Sequence, residues 1–372
     1  MTATRRLFPT SEGVAGAMAS ALLLTLALPP FSLFPLSFLA LVPIALAISG
    51  LPAGPGGRQS AAALGGLFGL GFWAWSLIWI PTVVGPRFPW AFPGYLLQLV
   101  LLSGLTACFA WGTHTLHRDA RLPLGLALPL AWVGVEWLKG HFPFGLAFPW
   151  MGLGVSLSEW PTLLGIAEWV GESGVAFWLA GSAGTVAALF RCELRGRRRD
   201  LWLIAGLVAL VPAAAGMVRA RTLHMVDGPR VLVVCTQVPP SLRVDSLRGA
   251  EPSLGQVQEA LQVAPPGPWD LILLPEGAVP LVIGEPEWDV AVESLHTAAA
   301  ELGSSLAFGT VGRARNGSGD GPTNSAVLVS SGTPGVQRYD KVRLVPGMEA
   351  GVYFPGSGDR LLSATGWDYG PL

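Results

Sequence analysis

Long apolar runs dominate the first 218 residues, and they recur at the length that a membrane crossing requires. Gly13–Gly57 contains no charged residue. Because a hydrocarbon core of about 30 Å takes about 20 apolar residues to cross, this stretch has room for two crossings joined by a proline-rich turn. Five further runs bring the predicted spans to seven: Ser60–Val83, Pro93–Trp111, Leu122–Leu138, Gly174–Phe190 and Leu201–Val218.

After Pro229 the pattern changes to short β-rich runs that alternate with helical stretches. Such alternation is typical of an α/β layered domain. Buried strands are predicted at Arg230–Cys235 and Trp269–Leu274, further strands at Ser305–Thr310 and Ser325–Ser330, and helices at Glu251–Val263 and Glu287–Leu302, the last with Val290, Leu295, Ala298 and Leu302 on its apolar face. The sequence therefore predicts a multi-span α-helical membrane domain at 1–218 and an α/β domain at 219–372.

Composition supports this division. The mean hydropathy is +0.51 and only 13% of the residues are charged, which excludes an ordinary soluble enzyme and a disordered chain. Residues 1–218 carry 12 Lys/Arg and 8 Asp/Glu, against 11 and 16 in 219–372. No basic stripe lies outside 191–199, so nucleic-acid binding is excluded as the main role. Three cysteines without a CxxC pair are too few for a disulfide or zinc framework.

The arginine distribution predicts the orientation in the membrane. With seven spans and a cytoplasmic N-terminus, ten Arg lie inside: Arg5, Arg6, Arg58, Arg118, Arg121, Arg191, Arg195, Arg197, Arg198 and Arg199. Only Arg87 and Lys139 lie outside before the last span, which fits the positive-inside rule. Segment 140–170 is then extracytoplasmic or re-entrant, and 219–372 is extracytoplasmic. The first run, after Arg5 and Arg6, is read as an uncleaved anchor rather than a signal peptide.

Two residues of the second domain are candidates for chemistry. Glu276 directly follows a predicted strand, where α/β sheets collect catalytic groups, and a carboxylate there can act as a general base; alternatively it caps an exposed turn. Lys341 is the only lysine in 219–372 and can stabilise an oxyanion, or it lies on the surface. Glu349 is a second carboxylate near the same loop. Cys235 is more readily a buried small hydrophobe than a nucleophile.

Other polar residues give weaker signals. Glu136 lies within a predicted span, where a carboxylate is a functional candidate, but beside Lys139 it could equally snorkel or form a pair. His114 and His117 lack a third ligand, so no metal site is inferred. The glycine-rich run Gly65–Gly71 lies inside a span and indicates helix packing rather than phosphate binding.

Several motifs in this order resemble the apolipoprotein N-acyltransferase family, which contains a nitrilase-like (carbon–nitrogen hydrolase) domain. They are Pro-Pro-Phe at 29–31, Gly-Leu-Gly-Phe at 69–72 leading to Trp79, Glu-Trp-Leu-Lys at 136–139, Phe-Pro-Trp at 148–150, Gln-Val-Pro-Pro at 237–240, Leu-Pro-Glu at 274–276, Thr-Asn-Ser at 323–325 and Tyr-Asp-Lys-Val-Arg-Leu-Val-Pro at 339–346. The resemblance covers essentially the whole chain and implies an α-β-β-α domain outside the bacterial cytoplasmic membrane, between a seventh and an eighth span.

The resemblance also implies a Glu–Lys–Cys triad. Glu276 matches the general base, Lys341 the oxyanion-stabilising lysine and Glu349 an auxiliary glutamate. The family's nucleophilic Cys would follow Lys341 by some tens of residues, beyond Leu372, so the chain looks C-terminally truncated and lacks the nucleophile. Gly277 departs from the Thr or Ser usual in the family, and so do Val244, at a common Trp position, and Pro346-Gly-Met-Glu349, in place of Pro-Phe-Gly-Glu.

The implied reaction moves an acyl chain from a membrane phospholipid to the N-terminal diacylglyceryl-cysteine of an apolipoprotein, through a thioester and without a cofactor. Membrane lipids, the phospholipid donor and the apolipoprotein acceptor are the expected partners. Two alternatives stay open: a catalytically silent fragment or half of a split enzyme, and a membrane-tethered hydrolase of a small amide.

The charge asymmetry predicts the outcome of a topology experiment. Reporter fusions after Arg199 should report the cytoplasm, and fusions near Gly228 should report the extracytoplasmic side, because ten basic residues against two orient the spans. An alkaline phosphatase reporter, active only outside, and a fluorescent reporter, bright only inside, measure both positions. The reverse pattern would contradict the seven-span arrangement.

Overall fold

The structure is a computed structural model that describes residues 10–86, 89–143, 146–191, 198–224, 227–235, 246–265, 267–313, 321–330 and 336–344. The chain divides into two compact units, Met1–His224 and Met225–Leu372. The first is helical and the second contains a mixed sheet with helices. The predicted fold class, apolar helices followed by an α/β domain, is therefore confirmed.

The described part of the first unit has seven α-helices: α1 (Ser11–Ala27), α2 (Val42–Ser49), α3 (Pro55–Ser76), α4 (Ala91–His114), α5 (Leu124–Gly140), α6 (Ala167–Arg191) and α7 (Arg198–Thr222). Turns of π-helix extend α3 and α4, so three described helical stretches are long and apolar enough to cross a membrane: Pro55–Val84, Ala91–Asp119 and Leu164–Arg191. Ser11–Ala27 and Phe34–Ser49 are shorter apolar helices.

Glycines allow α3 and α4 to pack closely. A Cβ atom on Gly65 would lie 2.4 Å from the carbonyl oxygen of Thr106, and one on Gly69 would lie 2.8 Å from the Cα of Ser103. No larger residue fits at these two positions without moving the backbone of α4. The glycine-rich run therefore serves helix packing, as the sequence indicates, in the manner of small-residue interfaces between membrane helices.

The two ends of the helical unit differ in their side chains. One end carries Arg58, which pairs with Asp119 at 3.1 Å, and the exposed Arg118, Arg121 and Arg191. The other end carries a group of exposed tryptophans: Trp75, Trp79, Trp90, Trp137, Trp150, Trp160 and Trp169. Indole rings concentrate at both boundaries between membrane and water, so these tryptophans mark such a boundary, while the arginines at the other end accord with the predicted orientation.

Between α5 and α6 the described backbone forms only short 3₁₀ turns, Leu153–Leu157 and Leu164–Ile166, and two side chains of α5 hold this segment. Lys139 is buried and donates to the carbonyl oxygen of Trp150 at 2.7 Å. Glu136 accepts a hydrogen bond from the backbone N–H of Leu153 at 2.7 Å. Non-helical backbone in an apolar setting needs such partners. Both side chains thus bind protein backbone rather than snorkelling to the surface.

The second unit contains one six-stranded mixed sheet among the described residues. Its strands are β1 (Val231–Val233), β2 (Leu271–Leu273), β3 (Val279–Val282), β4 (Ser305–Arg313), β5 (Pro322–Val329) and β6 (Val336–Asp340), and its helices are α8 (Ser246–Gln262) and α9 (Pro286–Glu301). The strand order is β1-β2-β4-β5-β6, with β3 also paired to β4. The pairs β1–β2, β2–β4 and β3–β4 are parallel, whereas the pairs β4–β5 and β5–β6 are antiparallel.

The helices cover one face of this sheet. Val257 and Leu261 of α8 and Leu295 of α9 pack in one core with Ile272 and Leu306. On β1 and β2 the alternate residues Val231, Val233 and Leu273 are exposed, because successive strand residues point to opposite faces. The prediction that both of these strands are fully buried is therefore wrong.

Two further details of the predicted domain are corrected. Val290 was expected on the apolar face of α9 but is 70% exposed, while Trp288, Ala291 and Leu295 are buried. Cys235 lies two residues beyond β1 and is exposed, so it is not a buried strand residue. The hydrophobic pattern did not predict β3 and β6. Pro280 interrupts the pattern of β3, and β6 is rich in polar residues.

Replacing Lys139 with Met should destabilise the helical unit, because the carbonyl oxygen of Trp150 loses its charged donor. Hydrogen bonds to charged groups contribute roughly 1.5–3 kcal/mol, and we expect a loss of this size in the free energy of unfolding, measured in mixed micelles by tryptophan fluorescence. Arg118→Met, at an exposed arginine, is the control and should change little. Equal effects of the two substitutions would contradict the assigned role of Lys139.

Candidate active site

Glu276 lies in a break between two strands that pair with the same neighbour. β2 pairs with the first part of β4, through Leu271 and Ser305, and β3 pairs with the later part, through Val279 and Thr310. Glu276 is in the connection between them, three residues after Leu273 at the carboxyl end of β2. Breaks at strand ends are where α/β sheets leave room for ligands, so the local chain path places this carboxylate at a suitable edge.

Two glycines permit the path of this connection. Gly277 has a φ of 68°, in the left-handed region that glycine adopts without strain. Gly309 of β4 lies beneath the connection, and a Cβ atom there would be 2.4 Å from the Gly277 nitrogen and 2.7 Å from the Glu276 Cα. The backbone of Glu276 can therefore lie directly against β4.

Two side chains from β5 and the end of β6 converge on Glu276. The Nζ atom of Lys341 donates to Glu276 Oε1 at 3.3 Å, and the Nδ2 atom of Asn324 donates to the same oxygen. The backbone N–H of Lys341 donates to the carbonyl oxygen of Asn324 at 2.8 Å, which fixes the two residues side by side. Residues far apart in sequence thus form one cluster of a carboxylate, an ammonium group and an amide.

A buried network on β5 and β6 supports this cluster. Asp340 Oδ1 accepts hydrogen bonds from Ser325 Oγ at 2.6 Å, from Thr323 Oγ1 at 3.2 Å and from Arg338 Nε at 2.6 Å. The side chains of Arg338 and Asp340 are only 6% and 8% exposed. Since strand residues alternate between faces, Thr323 and Ser325 bind Asp340 while Asn324, between them, binds Glu276.

The cluster itself is open to solvent. The side chains of Glu276 and Lys341 are 64% and 32% exposed, and exposed ion pairs contribute only about 0–1 kcal/mol to stability. The pair is therefore not explained by the stability of the fold. A carboxylate that can take a proton lies beside a cation that can stabilise a developing negative oxygen. Acyl-transfer reactions use two such groups, a general base and an oxyanion stabiliser.

The other candidate residues have different outcomes. Glu349 lies outside the described residues. Cys235 is free and exposed, but it precedes both members of the cluster in the chain. His114 Nε2 lies 3.0 Å from the carbonyl oxygen of Pro52, and His117 Nδ1 lies 2.9 Å from that of Leu122.

Sequence reasoning did not single out Asn324 as a member of this cluster. Its signal was present in the Thr-Asn-Ser motif at 323–325, which contributed to the family resemblance as a whole. The pairing of Ser325 with Asp340 in the β5–β6 register shows which of the three polar residues faces the glutamate.

Comparisons with known proteins agree with both units. Residues 20–185 match the family model described as the apolipoprotein N-acyltransferase N-terminal domain, and residues 235–365 match that of carbon–nitrogen hydrolases. The chain thus combines an apolar helical unit with a carbon–nitrogen hydrolase domain. This combination and the relatives described next show that the chain is similar to apolipoprotein N-acyltransferases along most of its length.

The relatives are curated apolipoprotein N-acyltransferases. The chain is 29% identical to that of Geobacter metallireducens, over 89% of this chain and 63% of the relative. It is 30% identical to that of Ralstonia nicotianae, over 87% and 59%, and 31% identical to that of Azotobacter vinelandii, over 89% and 62%. The chain therefore spans about 60% of the length of these relatives.

Replacing Asp340 with Ala should loosen the strands that carry Asn324 and Lys341, because a buried Arg338 would lose its partner. Breaking a buried ion pair costs about 3–5 kcal/mol, so amide hydrogen exchange in β5 and β6 should accelerate by at least about 100-fold. The control is Glu285→Ala, which breaks the exposed pair of Glu285 with Arg313. Unchanged exchange in the Asp340 variant would contradict the supporting role of the network.

Proposed function

We propose that this protein transfers an acyl chain from a membrane phospholipid to the N-terminal amino group of a diacylglyceryl-cysteine on an apolipoprotein. The observation that carries the proposal is the convergence of Lys341 and Asn324 on Glu276, in a carbon–nitrogen hydrolase domain attached to apolar helices. An acyltransferase that uses lipids on both sides of its reaction needs a catalytic domain tethered at a membrane.

The first half-reaction forms a thioester. Glu276 takes the proton of a cysteine thiol, and the thiolate attacks the ester carbonyl of the phospholipid. Lys341 stabilises the oxyanion of the tetrahedral intermediate. The carbon–oxygen bond then breaks, and the leaving alkoxide takes the proton from Glu276 and departs as a lysophospholipid. Asn324 keeps the carboxylate of Glu276 oriented during this exchange.

The second half-reaction regenerates the thiol. The α-amino group of the acceptor attacks the thioester carbonyl, and Lys341 again stabilises the oxyanion. The carbon–sulfur bond breaks, an amide forms, and the proton lost by the amine returns to the sulfur through Glu276. Glu349 is proposed as an auxiliary glutamate, on the resemblance alone.

The nucleophile belongs to a cysteine that follows Lys341 in this proposal. The three cysteines of the 372 residues, Cys108, Cys192 and Cys235, all precede Glu276. We therefore propose that the reaction requires a cysteine-bearing segment in addition to these residues, either in the same polypeptide or in a second one.

The membrane unit is proposed to be multi-pass in a bacterial inner membrane, with seven spans and residues 219–372 on the extracytoplasmic side. The exposed arginines at one end of the helices support this orientation. The helices would then deliver both lipid substrates from the bilayer.

The 372-residue chain, expressed alone, should fail to complement a cell depleted of its own N-acyltransferase, because the thioester cannot form without the nucleophile. The chain joined to the C-terminal segment of a curated relative should restore growth. Glu276→Gln in the joined chain should abolish rescue, whereas Glu285→Gln, at an exposed glutamate of the same domain, should leave it intact.

Lipoprotein N-termini analysed by mass spectrometry provide the direct readout in the same cells. Rescue by the short chain that survives Cys235→Ala would contradict the covalent mechanism. Release of ammonia from a small amide, with no acylated lipoprotein, would favour the membrane-tethered amide hydrolase.

A further inference from the structure

An apolar groove lies between three helices of the first unit, and its described lining contains none of the residues discussed in the reaction. Its volume is about 740 Å³, within the roughly 300–1,000 Å³ that is common for ligand sites. It is lined by the start of α5, the second half of α6 and the first half of α7, and the lining includes Leu126, Phe177, Ala188, Leu207 and Val211.

The described lining of the groove is almost entirely apolar. Among the lining residues that the structure describes, only Thr185 and Trp178 have polar side-chain atoms. Thr185 donates to the carbonyl oxygen of Gly181 at 2.7 Å, and the indole N–H of Trp178 donates to the carbonyl oxygen of Val208 at 2.9 Å. Pro212, four residues after Val208, has no N–H to bind that carbonyl, so the indole takes its place. An occupant of the groove must therefore be apolar.

The length of the groove matches one leaflet of a bilayer. Along α6 the lining extends from Phe177 to Ala188, which is about 16 Å at 1.5 Å per residue. Half of a hydrocarbon core of about 30 Å is about 15 Å. A single acyl chain that starts at the membrane surface would reach to the far end of the groove.

Positive charge lies at one end of the groove. Arg121 is exposed and stands two residues before Pro123, which lines the groove. Arg118 is also exposed, and the nearby Asp119 is already paired with Arg58 at 3.1 Å. Arginines next to an apolar inter-helix site favour an anionic lipid head group.

We propose that this groove binds one acyl chain of an anionic phospholipid whose phosphate is held at Arg121. The lipid is a resident partner of the helical unit, because the described residues that line the groove all belong to that unit. The proposal stands independently of the acyl-transfer reaction.

Native mass spectrometry of the purified chain tests the proposal, after exchange into nanodiscs of phosphatidylglycerol or phosphatidylcholine. One retained phosphatidylglycerol per chain is expected. Arg121→Gln should weaken its retention about fivefold, the effect of one basic residue at a membrane surface, and should leave phosphatidylcholine retention unchanged. Val211→Trp should displace the lipid, whereas Leu210→Trp, at the exposed neighbouring position outside the lining, should not.

Three outcomes would overturn the proposal. Equal lipid retention in the Val211 and Leu210 variants would show that the groove is not the site. A lipid-free dimer would show that a second copy of the chain fills it. Loss of the lipid when the chain is extended with the C-terminal segment of a relative would assign the groove to a protein helix.

Discussion

The buried carboxylate of Asp340 holds together the strands from which the candidate site is built. It gathers a guanidinium group and two hydroxyl groups from β5 and β6, and charged hydrogen bonds in a buried setting fix geometry firmly. Lys341 follows Asp340 in the chain, and Asn324 precedes its cross-strand partner Ser325, so both side chains reach Glu276 with little freedom. The pair of Glu276 and Lys341 needs this support, because an exposed ion pair contributes too little free energy to hold its own two side chains in place.

The helical unit also depends on polar side chains that hold the chain in place, and its apolar surroundings make the need for such partners stricter. Backbone groups in an apolar environment must find partners within the protein, and the non-helical segment after α5 finds them in Lys139 and Glu136. The indole of Trp178 does the same for a carbonyl that Pro212 leaves without its helical donor. In both units, therefore, polar side chains that look functional in the sequence also serve to satisfy the backbone or to fix a strand.

Much of the fold could be predicted because apolar length and the change of periodicity near residue 229 are properties of the chain itself. Glu276 was identifiable from its place after a strand, and Lys341 from its rarity. Asn324 was not, since only the register between β5 and β6 separates it from its polar neighbours. The exposed position of Val290 was missed because periodicity assigned a different face of α9 to the core. In the structure the buried face includes Trp288 and Ala291.

The central claim is that Glu276 and Lys341 serve a thioester mechanism on a cysteine that follows them. The most direct test is the mass of the protein, joined to the C-terminal segment of a relative, after incubation with a phospholipid of one defined acyl chain. We predict an increase equal to one acyl group, located by peptide mapping on a cysteine after Lys341 and absent in the Glu276→Gln variant. An acyl group on Cys235, or an adduct that forms equally without Glu276, would contradict the mechanism.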